Sequence, residues 1–156
     1  MLALARGLRE RGVRTHLETH GLASDALAEV LPAIDVVSMD WKLSSDVRRE
    51  GRSRRDPEEP FHAAHERFLR VALGAPEVVV KVVMTCSTRD DELDELAERV
   101  AAVDSAVTVI LQPVTPMASV RETPTAERLL EALVRLSRRL QDVRLIPQTH
   151  KQIGAL

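Results

Sequence analysis

Val78-Val79-Val80-Lys81-Val82-Val83-Met84 is a run of β-branched and apolar residues interrupted by one charge. β-branched side chains fit a pleated strand better than a helix. Side chains alternate between the two sides of a strand, so apolar residues at successive positions predict a strand covered on both faces, as in a parallel sheet. Four similar runs, 13–19, 34–40, 107–112 and 143–147, make five strand candidates in all.

The stretches between these runs have helical periodicity. In 90–103 the apolar residues Leu93, Leu96, Ala97, Val100 and Val103 form one stripe. Asp90, Asp91 and Glu92 fill its first turn, and Ser87 or Thr88 is placed as N-cap. In 124–140 the stripe is Leu129, Leu130, Leu133, Leu136 and Leu140, with Thr123 as cap and Pro124 at the first helical position. Shorter helices are predicted over 2–11, over 24–31 and over 62–73, the last with Phe61, Ala64, His65, Phe68 and Leu69 near one face. Alternation of helix and strand in this order predicts an α/β fold with parallel strands and right-handed crossovers. Five strands are too few to close a barrel, and the chain opens on a helix.

With 156 residues, 44% of them hydrophobic, the chain can bury one sizeable core, so one domain is expected over 1–156. The stretch 43–60 holds five arginines followed by acidic residues and prolines, and is expected to be a mobile, solvated insertion. A net charge of −2 and only three aromatic residues, Trp41, Phe61 and Phe68, argue against direct nucleic-acid binding. No run approaches the roughly 20 apolar residues of a membrane span, and residues 1–11 carry no cleavage site. A soluble cytoplasmic protein is the expectation. The single cysteine, Cys86, excludes a disulfide framework or an all-protein thiolate metal site.

Ligands of parallel α/β folds bind where strands end at their carboxyl termini. There the sequence places Glu18-Thr19-His20-Gly21, Ser38-Met39-Asp40-Trp41-Lys42, Met84-Thr85-Cys86-Ser87, Gln112 and Gln148-Thr149-His150. Glu18, Asp40, Lys42, Gln112, Gln148 and His150 can converge on one rim. Lys81, a charge inside an apolar strand, either points into that site or pairs with a carboxylate. His62 and His65, three residues apart without a third ligand, are read as ordinary helix-surface histidines, and no metal site is assigned. Neither a Gly-x-Ser-x-Gly elbow nor a glycine-rich phosphate loop is present.

The ordered set Glu-Thr-His-Gly (18–21), Ser-Met-Asp-Trp-Lys-Leu (38–43), Lys-Val-Val-Met-Thr (81–85), Leu-Gln-Pro-Val-Thr-Pro (111–116) and Ile-Pro-Gln-Thr-His-Lys (146–151) resembles the 7-carboxy-7-deazaguanine synthase family of radical S-adenosylmethionine enzymes. The resemblance implies a partial (β/α) barrel of the radical SAM type, with about five parallel strands here and the first strands missing. It implies lyase chemistry of the carbon–nitrogen type, converting 6-carboxy-5,6,7,8-tetrahydropterin to 7-carboxy-7-deazaguanine on the route to 7-deazapurines such as queuosine. The implied cofactors are S-adenosylmethionine, a [4Fe–4S] cluster and Mg2+, and the implied assembly is a homodimer. By the same resemblance Ser38, Asp40, Lys42 and Gln112 contact adenosylmethionine, while Glu18, Gln148, His150 and the terminal carboxylate of Leu156 contact the pterin.

One departure stands out. The family's Cys-x3-Cys-x2-Cys loop, its following Gly-Gly-Glu-Pro strand and its magnesium-associated threonine have no counterpart in these residues. The chain is therefore expected to be a C-terminal fragment, inactive alone, with an apolar sheet edge exposed at 13–19. A cluster-free pterin-binding or scaffold protein, or one subunit of a split enzyme, is the alternative.

Overall fold

A strand that returns through a helix to a parallel neighbour does so with a right-handed crossover. When strands are added in one direction without reversal, every crossover places its helix on the same side of the sheet. The computed structural model, which describes residues 2–45, 61–116 and 122–148, has this arrangement. Its elements are α1 (Leu2–Arg9), β1 (His16–Thr19), α2 (Ser24–Val30) with a 3-10 turn (Leu31–Ala33), β2 (Val36–Asp40) and α3 (His62–Ala72). They continue with β3 (Glu77–Met84), α4 (Asp90–Asp104), β4 (Thr108–Pro113), α5 (Ala126–Ser137) and β5 (Val143–Leu145). The strands form one sheet in the order β1-β2-β3-β4-β5, all parallel. Successive helices pack on one another. Unreversed strand order is the arrangement of a partial (β/α) barrel and differs from a doubly wound sheet.

The two faces of the sheet differ sharply. Val37, Met39, Val80, Val82, Met84, Val109 and Leu111 lie on one face and are fully buried under the helices. Leu69, Leu93, Leu96, Val100 and Leu136 pack against them in the same core. By register the other face carries Glu18, Ser38, Asp40, Val79, Lys81, Val83, Ile110, Gln112 and Arg144. Of these only Ser38 is fully buried. The expectation of strands covered on both faces is thus corrected, because among the described residues helices cover only one. The valines at 79 and 83 line an open, half-exposed surface.

Boundaries shift in ways that local chemistry explains. The first strand begins at His16 and is four residues long with alternating exposure, so the long apolar edge expected at 13–19 is absent. Thr125 caps α5 in place of Thr123, its hydroxyl accepting from the Arg128 N–H at 3.2 Å. At α4 the N-cap position falls on Arg89, without a side-chain cap bond, and not on Ser87 or Thr88. The Thr88 hydroxyl instead accepts the Thr85 N–H at 3.0 Å in the preceding turn. Of the stretch 43–60, Leu43 and Ser44 are buried and 46–60 lie outside the described residues. Among the described residues no helix is long and apolar enough to cross a membrane.

The amino ends of the strands are locked by threonine–aspartate pairs. Buried Thr15 donates its hydroxyl to the Ala33 carbonyl at 2.7 Å, lies 3.0 Å from Asp35 Oδ2, and accepts the Asp35 N–H at 3.0 Å. The Thr15 N–H also donates to Asp35 Oδ2 at 2.8 Å. Backbone and hydroxyl bonds from Thr15 hold the Asp35 carboxyl below its ordinary range, with Arg9 and Arg14 adding to the effect. The same device recurs at the far edge, where the Thr108 hydroxyl donates to Asp142 at 2.7 Å. Thr15→Val leaves buried polar groups unpaired and is expected to cost roughly 1–3 kcal/mol in urea denaturation, with the slope of the transition unchanged.

Candidate functional site

Four charged side chains of alternating sign meet at the carboxyl ends of β1, β2 and β3. Asp40 closes β2 and sits opposite Lys81 of β3 in the register. Its Oδ1 lies 3.3 Å from the Lys81 ammonium, and its Oδ2 lies 3.0 Å from Lys42. Lys81 reaches across β2 to Glu18 of β1, at 2.9 Å. His20 approaches Asp40 from the loop after β1, at 3.9 Å. Burial alone would raise the Asp40 pKa, but hydrogen bonds and charge from Lys42 and Lys81 outweigh it, and the carboxyl is held below its ordinary value. Burial would likewise depress Lys81, yet Glu18 and Asp40 raise it above the ordinary lysine value. Asp40 and Lys81 are therefore both ionised at neutral pH. Lys81 satisfies both options left open by its position, since it faces the rim and pairs with carboxylates.

The loops bearing this cluster are held from beneath by two histidines. His65 is fully buried in α3, which corrects its reading as a helix-surface residue, and the same holds for His62. His65 Nε2 accepts the Lys42 backbone N–H at 3.0 Å, and Nδ1–H donates to the Gly21 carbonyl at 2.8 Å. A carbonyl can only accept, which fixes the tautomer. One imidazole thus joins the segment after β1 to the segment after β2. His62 Nδ1 accepts the Trp41 indole N–H at 2.8 Å, and the Trp41 ring lies tilted against both imidazoles. Burial drives His65 down to about 4, against a small upward pull from the Gly21 bond, and burial also lowers His62 despite Glu95 nearby. Further along, buried Glu92 of α4 accepts the Ser45 N–H at 2.9 Å.

Gly21 is required at its position. Its φ is +65°, and a Cβ there would stand 2.7 Å from Met39 Cε and 3.2 Å from His65 Nδ1.

The remaining site candidates fall in three groups. Ser38 lies on the open face of β2, two residues before Asp40, and is buried. Gln112 lies on the open face of β4 opposite Val83, with no hydrogen bond to the charged cluster among the described residues. Gln148 follows β5, and its side-chain oxygen is buried without a partner among the described residues. His150 and Leu156 lie outside the described residues. Among the described residues no three His, Cys, Asp or Glu side chains are grouped to hold a metal ion. The residues that sequence reasoning missed are His62 and His65. Their signal was present in the apolar stripe of α3, which a surface histidine would not share with Phe68 and Leu69.

Fold and site together define an α/β protein of the partial-barrel class, with a charged rim at the carboxyl ends of its strands. The chain is 32% identical over 149 residues to the 7-carboxy-7-deazaguanine synthase of Geobacter sulfurreducens, a match covering 96% of this chain and 55% of the relative. It is thus related to that synthase along nearly its whole length and spans about half the length of the curated relative it matches. No family model matches the chain.

The buried imidazole generates a pH dependence of known sign. Its folded pKa of about 4 lies below the unfolded 6.5, so the stabilisation is fully present above pH 6.5 and is lost as pH falls toward 4. The loss amounts to about 1.4 kcal/mol per pH unit inside that window. Chemical denaturation of wild type and His65→Gln from pH 7 to pH 4 is expected to show a shallower decline in the variant, by close to one bound proton. Separately, Gly21→Ala is expected to lower stability by roughly 1–3 kcal/mol, because alanine resists positive φ and presses on Met39 and His65.

Proposed function

We propose that this chain forms the substrate-binding, C-terminal portion of a 7-carboxy-7-deazaguanine synthase. The complete enzyme would act on 6-carboxy-5,6,7,8-tetrahydropterin by radical S-adenosylmethionine chemistry of the carbon–nitrogen lyase type, in 7-deazapurine biosynthesis. The observation that carries this reading is the coincidence of the charged cluster with the matched motifs: Glu18, Asp40, Lys42 and Lys81 meet on one rim. That rim belongs to a chain related to this synthase over 96% of its length.

The chemistry of the donors suits the two ligands. The Glu18 carboxylate is largely exposed and accepts hydrogen bonds, as the amino-pyrimidinone edge of a pterin requires. An ionised Asp40 and the Ser38 hydroxyl suit ribose hydroxyls, and the Lys42 ammonium suits a carboxylate. Gln112 and Gln148 supply amide donors and acceptors on neighbouring strand ends, and the resemblance assigns His150, which lies outside the described residues, to the pterin. S-adenosylmethionine, when bound, supplies the radical-generating group. This chain's residues bind it and hold its charged ends.

The [4Fe–4S] cluster does not fit the residues present. Three thiolates are needed, the chain has one cysteine, and that one, Cys86, is exposed in the turn after β3. The cluster ligands therefore come from outside these 156 residues, from a preceding segment or a second subunit. No step through the cluster is assigned to this chain, and no magnesium ligand is assigned either.

Titration calorimetry under anaerobic conditions is expected to show S-adenosylmethionine and 6-carboxytetrahydropterin binding to the chain, with Asp40→Asn weakening adenosylmethionine by about tenfold. Absence of binding to either ligand would sink the reading. Cluster reconstitution is expected to give substoichiometric iron and no 5′-deoxyadenosine, and a stoichiometric cluster with turnover would contradict the assignment of external thiolates.

A further inference from the structure

We infer that Lys81 is a positioning residue: its ammonium, between the Glu18 and Asp40 carboxylates, fixes the rotamer of Glu18 and the spacing of both acids for a ligand. The inference rests on the reading of those two acids as ligand-binding groups.

Position 81 has no packing need for a lysine. Its neighbours on the open face of β3 are Val79 and Val83, and the four other residues from Val78 to Met84 are also apolar, three of them valine. A branched aliphatic side chain would suit the strand equally well. Nor does stability account for the charge. The Lys81 side chain is 15% exposed, whereas that of Glu18 is 69% exposed. An ion pair so placed contributes little, and replacing a shielded one with an apolar residue is often neutral. What the contact does is directional. Glu18 stands on an edge strand, mostly in solvent, and Lys81 is its one hydrogen-bond partner among the described residues. Two strand spacings separate β3 from β1, about 10 Å, so an extended lysine reaching across β2 is what ties this free-standing carboxylate to the centre of the sheet.

Asp40 is held from a second direction. Lys42 takes Oδ2 and Lys81 takes Oδ1, so the two lysines engage different oxygens and set the plane of the carboxylate. Lys42 is itself fixed through its backbone N–H on His65. Glu18 has no such second anchor. The charged and titratable groups around Lys81 are Glu18, Asp40, Lys42 and His20, with neutral His65 beneath.

The test compares Lys81→Met, which keeps length and removes charge, with Lys81→Arg, which keeps charge. In ligand-free protein, NMR couplings and carboxyl shifts are expected to show a fixed Glu18 side chain in wild type and Lys81→Arg, and rotamer averaging in Lys81→Met. The Asp40 titration midpoint is expected to rise in Lys81→Met and to return in Lys81→Arg. Averaged Glu18 in the wild type, or an unchanged Asp40 midpoint in Lys81→Met, overturns the inference. Should Lys81→Met not fold, Lys81→Gln is read in the same way. With 6-carboxytetrahydropterin as probe, Lys81→Met is expected to bind about tenfold more weakly and Lys81→Arg within about twofold of wild type. Equal affinity in a folded Lys81→Met also overturns it. If the wild type binds no pterin, the functional reading falls, while the ligand-free measurements still decide whether Lys81 positions the two acids.

Discussion

A parallel sheet whose crossovers all carry their helices to one side must leave its other side to something else. That constraint organises this molecule. On the covered side the requirement is packing, met by Val37, Met39, Val80, Val82, Met84 and Leu111 against the leucines of α3, α4 and α5. On the other side the same strands present charge. Because side chains alternate, each residue is committed to one of the two roles by its parity alone, and Asp40 and Lys81 fall on the open side together because the register pairs them.

The charged rim depends in turn on neutral groups buried beneath it. A backbone segment leaving a strand end has free N–H and C=O groups and several routes to follow. His65 removes that freedom for two segments at once, taking the Lys42 N–H and giving its own proton to Gly21. Its burial keeps it uncharged, and an uncharged imidazole is what has one donor and one acceptor to spend here. The positive φ of Gly21 lets the carbonyl approach the ring so closely. Electrostatic order at the surface thus follows from hydrogen-bond order in the core.

Much of this was legible in the residues. Consecutive valines marked β3, stripes of leucine marked α4 and α5, and the strand-end motifs carried Glu18, Asp40 and Lys42, which the sheet brings together. The lone charge of Lys81 signalled a special position because a strand of valines makes it anomalous. The one-sided covering was not legible, since a run apolar at both parities reads the same whether its second face is buried or merely half-exposed. The role of His65 was hidden for a different reason. Its partner Gly21 lies 44 residues away, and no periodicity reports a contact that only the folded sheet creates. The cap of α5 moved from Thr123 to Thr125 because two threonines flank one proline, and only backbone geometry chooses between them.

The Thr15–Asp35 and Thr108–Asp142 pairs stand at the amino ends of the strands, opposite the charged rim. They form a chassis at one pole of the molecule, and the charged rim sits at the other. The two poles lie at opposite ends of the same sheet, and changes at separated sites combine almost independently. Mutations that strengthen the chassis therefore offset destabilising changes at the rim without touching its charged side chains.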